Sequence, residues 1–388
     1  MSKPIETRCI HGNSDFRHQE GTKAVSFPIY QTATFGHIGL GQSTGFDYSR
    51  VSNPTRQHLE ETISALEGAW DTVAFSTGMA AVSACFELFG PGDHIICSED
   101  LYGGATRLLQ TIGRKNGLAV DFADTTDITQ ILALLGPATK ALYIETPSNP
   151  MMNVTDLHAC AKLAKAHGLL LIVDNTFLSP YFQNPIELGA DIVLHSGTKF
   201  LSGHNDTLSG FLSCASQELA DRVRMIAKTT GAVLAPFDSW LVLRGIKTLS
   251  IRMERQQETA LRVAQWLKGH PRISQVYYVG LPEHPGYEVN QKQARGAGSM
   301  ISFRTDSAQT ARRVLEKVKM ITFAESLGGT ESLITYPMLQ THCDVPQAMR
   351  EHLGITQTLL RLSVGLEHVD DIIGDLQQAL EEDDHGTV

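Results

Sequence analysis

The stretch LLLIVDNTFLSPYFQNPIELGADIVLHSGTKF, residues 169–200, holds two short apolar runs with a helix-length segment between them. LLLIVD (169–174) and ADIVLH (190–195) are too short for buried helices and show no alternation of polar and apolar residues. Strands covered on both faces of a parallel sheet read this way. Working outward, the same kind of burst recurs at TVAFS (72–76), HIICS (94–98), AVDFA (119–123) and ALYIET (141–146). Between bursts lie helical candidates such as Asp156 to His167, with apolar residues at helical spacing and turn signals on either side. Repeated strand–helix units predict an α/β domain with a mostly parallel sheet flanked by helices.

The flanks read differently. Residues 1–50 mix Gly, Thr and polar residues with little periodicity, and GHIGLGQSTG (36–45) misses the G-x-G-x-x-G spacing of a nucleotide loop and follows no strand. This segment is expected to be an arm that builds no core of its own and packs on a neighbouring subunit. Residues 51–240 form the large domain. A long amphipathic segment from about 237 to 270, stopped by Gly269 and Pro271, connects it to residues 241–388, a smaller α+β domain. There ISQVYYV (273–279), SMISFR (299–304) and TLLRLSV (358–364) read as strands, and Ala308 to Val318 and Val369 to Leu380 as amphipathic helices. The acidic tail EEDDHGTV (381–388) is expected to be solvated.

With 388 residues, 42% hydrophobic and 19% charged, the chain has enough apolar sequence for sizeable cores, which excludes a small stapled scaffold and a disordered chain. Lys+Arg number 32 against 42 Asp+Glu, a net charge of −10 with no dense basic run, so nucleic acid is not an expected partner. No apolar stretch is long enough to span a bilayer, and the opening MSKPIETRC lacks the apolar run of a secretory signal. The expected location is cytoplasmic. The six Cys contain no C-x-x-C, and His195 and His204 share no helical face, so reduced buried thiols and no structural metal are expected.

In open parallel sheets ligands bind beyond the carboxyl ends of the strands, so the residues following each burst carry the chemistry. Ser196, Gly197 and Thr198 place two hydroxyls and backbone N–H groups where a phosphate could sit, with Lys199 beside them. An amine just after a buried strand has its pKa lowered by desolvation and becomes nucleophilic, although most lysines are surface charges. Asp174 ends a very apolar run, and its carboxylate either caps a helix or meets a cationic partner such as a pyridine nitrogen. Gly78 and Met79, in STGMAA, open a helix whose free N–H groups attract an anion. Tyr102 is either core or, given Gly103 and Gly104, a ring left open for stacking on a flat heteroaromatic. Arg361 lies in an apolar strand, where burial requires a carboxylate from the protein or a substrate. Ser326 and Asn149, in Gly- and Pro-shaped loops, are placed to help hold the same carboxylate.

Together YSRVSNPTR (48–56), STGMAA (76–81), DLYGG (100–104), ETPSNP (145–150), DNTF (174–177), HSGTKFLSGH (195–204), LRGIKTL (243–249), ESLGGTESL (325–333) and LRLSVGLE (360–367) resemble, in order, segments of the Cys/Met-metabolism family of pyridoxal-phosphate (PLP) enzymes. The resemblance covers nearly the whole chain and implies the type I fold of PLP-dependent transferases. It also implies that Lys199 bonds the cofactor's aldehyde, Asp174 pairs with the pyridine nitrogen and Tyr102 stacks on the ring. Gly78, Met79, Ser196 and Thr198 would hold the phosphate. Tyr48 and Arg50 would reach a neighbouring subunit's phosphate, in a tetramer built as a pair of dimers. Arg361, with Ser326 and Asn149, would bind the substrate α-carboxylate.

The activity implied is carbon–sulfur lysis of cystathionine and related amino acids, γ-elimination ahead of β-elimination. Lys199 would be the general base and Tyr102 the proton donor or relay to the leaving sulfur. Methionine γ-lyases typically carry Cys where this chain has Gly104, which disfavours a methionine specialist. Glu325 and Asp47 are two acids suited to the distal ammonium of cystathionine. The runner-up is a transferase, a cystathionine γ-synthase or an O-acetylhomoserine sulfhydrylase, with a PLP-binding scaffold third.

Overall fold

The computed structural model describes residues 3–12, 24–343 and 345–381. From residue 382 on, the tail read as solvated lies outside them. Seven strands make the large sheet: β1 (Asp71–Phe75), β2 (His94–Ser98), β3 (Ala119–Ala123), β4 (Thr139–Glu145), β5 (Leu170–Asp174), β6 (Ile192–Ser196) and β7 (Gly210–Cys214). Their order is β1-β7-β6-β5-β4-β2-β3, and β7 runs antiparallel to both of its neighbours. All six bursts read from the sequence are strands of this sheet. β7 was not anticipated: GFLSC has a Gly and a Ser among five residues and follows a polar loop, so it carries no apolar-run signal.

Alternate residues of each strand serve opposite faces, and both faces are covered. Ile172 packs in the layer formed with the helices Gly78–Phe86 and Gln217–Thr230, whereas Leu171 and Val173 pack in the layer of the helix Leu157–His167. This double coverage is why the strands read as continuous apolar runs. Capping fixes the entry to the first of these helices, since Thr77 accepts the backbone N–H of Ala80 through its side chain.

The smaller sheet contains β8 (Ile273–Tyr277), β9 (Met300–Thr305), β10 (Thr322–Phe323), β11 (Leu333–Thr335) and β12 (Leu359–Ser363), ordered β10-β11-β12-β9-β8. The helices Ala308–Lys317 and Val369–Leu380 pack on it through Val314, Ile372 and Leu376. The connector is two helices, Pro236–Ile246 and Leu249–Gly269. The Gly245 carbonyl explains the break: it accepts from the Thr248 backbone N–H, the Thr248 hydroxyl and Arg252 Nη2, closing a tight turn at Lys247–Thr248.

The arm also departs from expectation. Its helix Ile5–His11 buries Cys9 among Leu59, Ile63 and Leu249, so this part does share a core. Further along, Val25, Ile38 and Leu40 are exposed. All six cysteines are free, five of them buried and Cys343 exposed. Among the described residues no helix is long and apolar enough to cross a membrane.

Candidate active site

A cavity of about 200 Å³ opens beyond the carboxyl ends of β4, β5 and β6, and one wall comes from the smaller sheet. It is lined by Gly78, Met79, Tyr102, Asn149, Asp174, Ser196, Thr198, Lys199, Glu325, Ser326 and Arg361. Eleven of the fourteen candidate residues thus meet in one place. Asp47, Tyr48 and Arg50 do not line it: all three are exposed on the arm, and the Arg50 guanidinium stacks 5.5 Å over the Tyr48 ring and donates to the Lys228 carbonyl.

Lys199 follows β6 directly, and its Nζ donates to Ser326 Oγ at 2.8 Å. Burial, with the Arg361 guanidinium as a smaller contribution, lowers the amine to about 8, while Glu325 opposes the shift. Ser326 sits at φ 82°, a left-handed conformation that costs a non-glycine residue about 1–2 kcal/mol. That turn places its hydroxyl on Lys199 and its carbonyl on Arg361 Nη2, 3.1 Å away. Strain retained where two functional groups converge is characteristic of a site.

Asp174 ends β5 and accepts the Thr176 backbone N–H at 3.0 Å and the Thr176 hydroxyl. Thr176 Oγ1 accepts in turn from the Ser196 N–H at 2.9 Å, locking the ends of β5 and β6 together. Burial raises the Asp174 carboxyl above its ordinary range, and the Thr176 bonds and His195 partly oppose that. Arg361 on β12 is 2% exposed. Its Nη1 donates to Asn149 Oδ1 at 2.8 Å and its Nη2 to Thr335 Oγ1 at 3.2 Å, while Nε is buried without a partner. Burial lowers this guanidinium to about 10, still charged at neutral pH. Among the described residues no protein carboxylate hydrogen-bonds to it, and Glu145 and Glu325 act on it only by their charge.

The opposite wall is built by close approach. A Cβ at Gly78 would sit 2.8 Å from Ser196 Oγ, and one at Gly104 would sit 2.5 Å from the Tyr102 ring and 2.9 Å from Met79 Sδ. The Tyr102 ring, 40% exposed, therefore lies over Gly104 rather than in the core. The Thr198 hydroxyl accepts the Ser209 N–H at 3.0 Å.

Sequence reading missed Glu145, which lines the cavity, pairs in register with Asp174 across β4 and β5, and accepts the Tyr102 N–H at 2.9 Å. It ends ALYIE as Asp174 ends LLLIVD, so the signal was present. Burial, then Asp174, pushes this carboxyl well above the ordinary range. Thr335 and Thr341 were also missed and had no local motif to reveal them.

The Cys/Met metabolism PLP-dependent enzyme family model matches residues 6–381. This chain belongs to that family. It is 46% identical over 377 residues to cystathionine beta-lyase of Lactococcus lactis subsp. cremoris (strain MG1363), covering 97% of this chain and 99% of that protein. It is 50% identical over 364 residues to cystathionine gamma-synthase of Haemophilus influenzae, covering 94% of each. The solved structure of cystathionine gamma-lyase from Lactobacillus plantarum, complexed with L-serine, matches with a TM-score of 0.95 at 42% identity, over 97% of this chain and 98% of that one.

The cavity suits PLP on its own chemistry. It offers a desolvated amine, a buried carboxylate ending the adjacent strand, an open aromatic face, and a helix N-terminus that Gly78 lets a phosphate approach closely.

Proposed function

We propose that this PLP-dependent enzyme is a carbon–sulfur lyase that cleaves cystathionine, releasing a thiol, ammonia and a 2-oxo acid. The observation that carries the reading is a single pocket lined by both Lys199 and a buried Arg361, with Ser326 bonded to each. Lys199, Asp174 and Tyr102 would hold the cofactor ring; Gly78, Met79 and Ser196 its phosphate, with Thr198 supporting the loop. Bound there, PLP supplies an electron sink for charge developing at the substrate's Cα.

The chain's own residues do the rest. Arg361, aimed by Asn149 and the Ser326 carbonyl, takes the substrate α-carboxylate and so fixes Cα beside Lys199. Lowering the amine to about 8 raises its neutral fraction well above that of an exposed lysine, and Lys199 in that neutral form removes the Cα proton. For loss of sulfur from Cγ it removes a Cβ proton as well. Asp174, held by Thr176, would supply the carboxylate that pairs with the ring nitrogen. The Tyr102 hydroxyl donates a proton to the departing sulfur.

Substrate choice follows from the mouth. The vestibule outside the pocket is lined by Asp206, Asp238 and Glu325, with no Lys or Arg among its described lining residues. Such a rim attracts the distal ammonium of cystathionine, with the carboxylate on the same carbon turned away from these acids. Asp47 would join this rim from a neighbouring subunit. Tyr48 and Arg50 would reach that subunit's phosphate, with residues 1–50 as the shared arm of a tetramer of two dimers; the exposed Val25, Ile38 and Leu40 support such a contact. Free, mostly buried thiols are consistent with the cytoplasm.

Incubating the holoenzyme with cystathionine alone tests the proposal. Pyruvate with homocysteine marks β-elimination, 2-oxobutyrate with cysteine marks γ-elimination, and no 2-oxo acid would overturn it. The 50% identity to a cystathionine gamma-synthase favours one second reading, γ-replacement on an O-acyl-homoserine. Cystathionine formed from that ester and cysteine, without 2-oxo acid from cystathionine, would establish it.

A further inference from the structure

His342 is 1% exposed and has no part in the steps above. It lies on the loop after β11, which leaves the smaller sheet and reaches the turns that carry Tyr102 and Asn149. Its Nε2 lies 3.1 Å from the Asn149 carbonyl oxygen and its Nδ1 2.8 Å from Thr341 Oγ1. A carbonyl can only accept, so Nε2 carries the hydrogen and Nδ1 accepts from the Thr341 hydroxyl. That tautomer uses both nitrogens of a neutral ring. Burial and the Arg361 and Arg350 guanidiniums lower the imidazole to about 4, against weaker support for its charged form from the Asn149 and Leu101 backbones.

The contact is tight as well as polar. A Cβ on Gly103 would come within 2.3 Å of the Thr341 carbonyl, so the loop seats against the turn only because position 103 has no side chain. His342 thus grips the backbone of Asn149, whose side chain grips Arg361 Nη1 at 2.8 Å. Two links separate the imidazole from the guanidinium, and each joins the larger sheet's turn to a segment from the smaller sheet.

We propose that His342 is a positioning residue for substrate recognition: by fixing the Asn149 carbonyl it aims the Asn149 amide at Arg361 and so holds the guanidinium that lines the cavity in place for the substrate α-carboxylate. This rests on the reading of Arg361 as the carboxylate site. A mere latch between domains would weaken every ligand alike; a positioning residue weakens only ligands that carry the carboxylate.

The experiment uses the holoenzyme and two amines that cannot eliminate, alanine and ethylamine, with binding read from the cofactor's absorbance. His342→Leu is expected to weaken alanine about tenfold, the loss of one neutral hydrogen bond, and to leave ethylamine unchanged. His342→Gln, which can still donate to the Asn149 carbonyl, is expected to restore most of the alanine affinity, and His342→Asn, which is shorter, is not. Equal weakening of both amines, or of neither, overturns the inference. If His342→Leu does not fold, the Gln and Asn variants carry the same comparison, and equal alanine affinity in the two is the overturning result. Arg361→Ala is the reference: if it fails to separate alanine from ethylamine, the carboxylate reading is at fault rather than the role of His342.

Discussion

Pocket residues and arm residues are held by different kinds of contact. Around the pocket the bonds span the chain: Lys199 meets Ser326 127 positions away, and Arg361 meets Asn149 212 positions away. Around the arm's three candidate residues most are local, the Arg50 bond to the Lys228 carbonyl being the exception. Asp47 accepts from Ser43 and faces His37, Tyr48 pairs with Thr34, and Arg50 lies over Tyr48. The pocket is a product of one chain's tertiary fold. Among its described residues the arm joins a core at its helix Ile5–His11, while Leu40 at 105% and Val25 at 90% exposure turn outward. Changes in the pocket should therefore act on chemistry within a subunit, and changes on the arm should act between subunits.

The largest expected effect is at Lys199. Lys199→Ala should abolish turnover and the borohydride-reducible visible chromophore, since both need the same amine. An unchanged chromophore would place the cofactor elsewhere. Next comes Arg361→Ala, expected to raise KM for cystathionine about a hundredfold through loss of a charge-assisted contact, with a smaller change in kcat. A fall in kcat at unchanged KM would mean that Arg361 serves the reaction and not binding.

The ease of reading the pocket from sequence followed the same division. Asp174 and Lys199 end or follow buried strands, where an apolar run followed by an ionisable group is visible in a handful of letters. Glu145, which ends ALYIE at the close of β4, has that signature too. β10 and β11, two and three residues long, are too short for any periodicity. His342 and Thr335 owe their places to the folding of one sheet's loops onto the other, which no local pattern encodes. The connector's break depends on Arg252 reaching back to the Gly245 carbonyl, a bond between residues seven apart that helical periodicity does not reveal.

The arm gives the next effect. If Arg50 serves a neighbour's phosphate, Arg50→Ala and Lys199→Ala homo-oligomers should both be inactive, and hybrids formed by mixing them should regain activity because some sites contain neither change. Strict absence of rescue in hybrids confirmed by mass would make each site self-contained and erase the distinction drawn above.

A graded effect within the pocket follows from the Lys199 amine, which folding lowers from an ordinary value near 10.4 to about 8. Only the neutral amine attacks an aldehyde, so PLP uptake by the apoenzyme should slow about tenfold per pH unit below 8 and flatten above it. Glu325 raises this pKa, so Glu325→Gln should shift the limb to lower pH. A shift to higher pH would show that Glu325 does not act on the amine by its charge.

The smallest effect on the fold, and the sharpest contrast with the pocket, is expected at Leu40. Its side chain is fully exposed in the single chain, so Leu40→Ser removes no intrachain contact and should leave the subunit's unfolding free energy within about 0.5 kcal/mol of the parent. A leucine covered by a partner contributes about 1.5–3 kcal/mol per site, so the same change should weaken assembly measurably by sedimentation. Activity per subunit should then fall on dilution and recover on concentration. Lys199→Ala, which leaves the arm intact, should sediment as the parent does. Identical sedimentation of the Leu40 variant at every concentration would mean that the arm's apolar face is not where subunits meet.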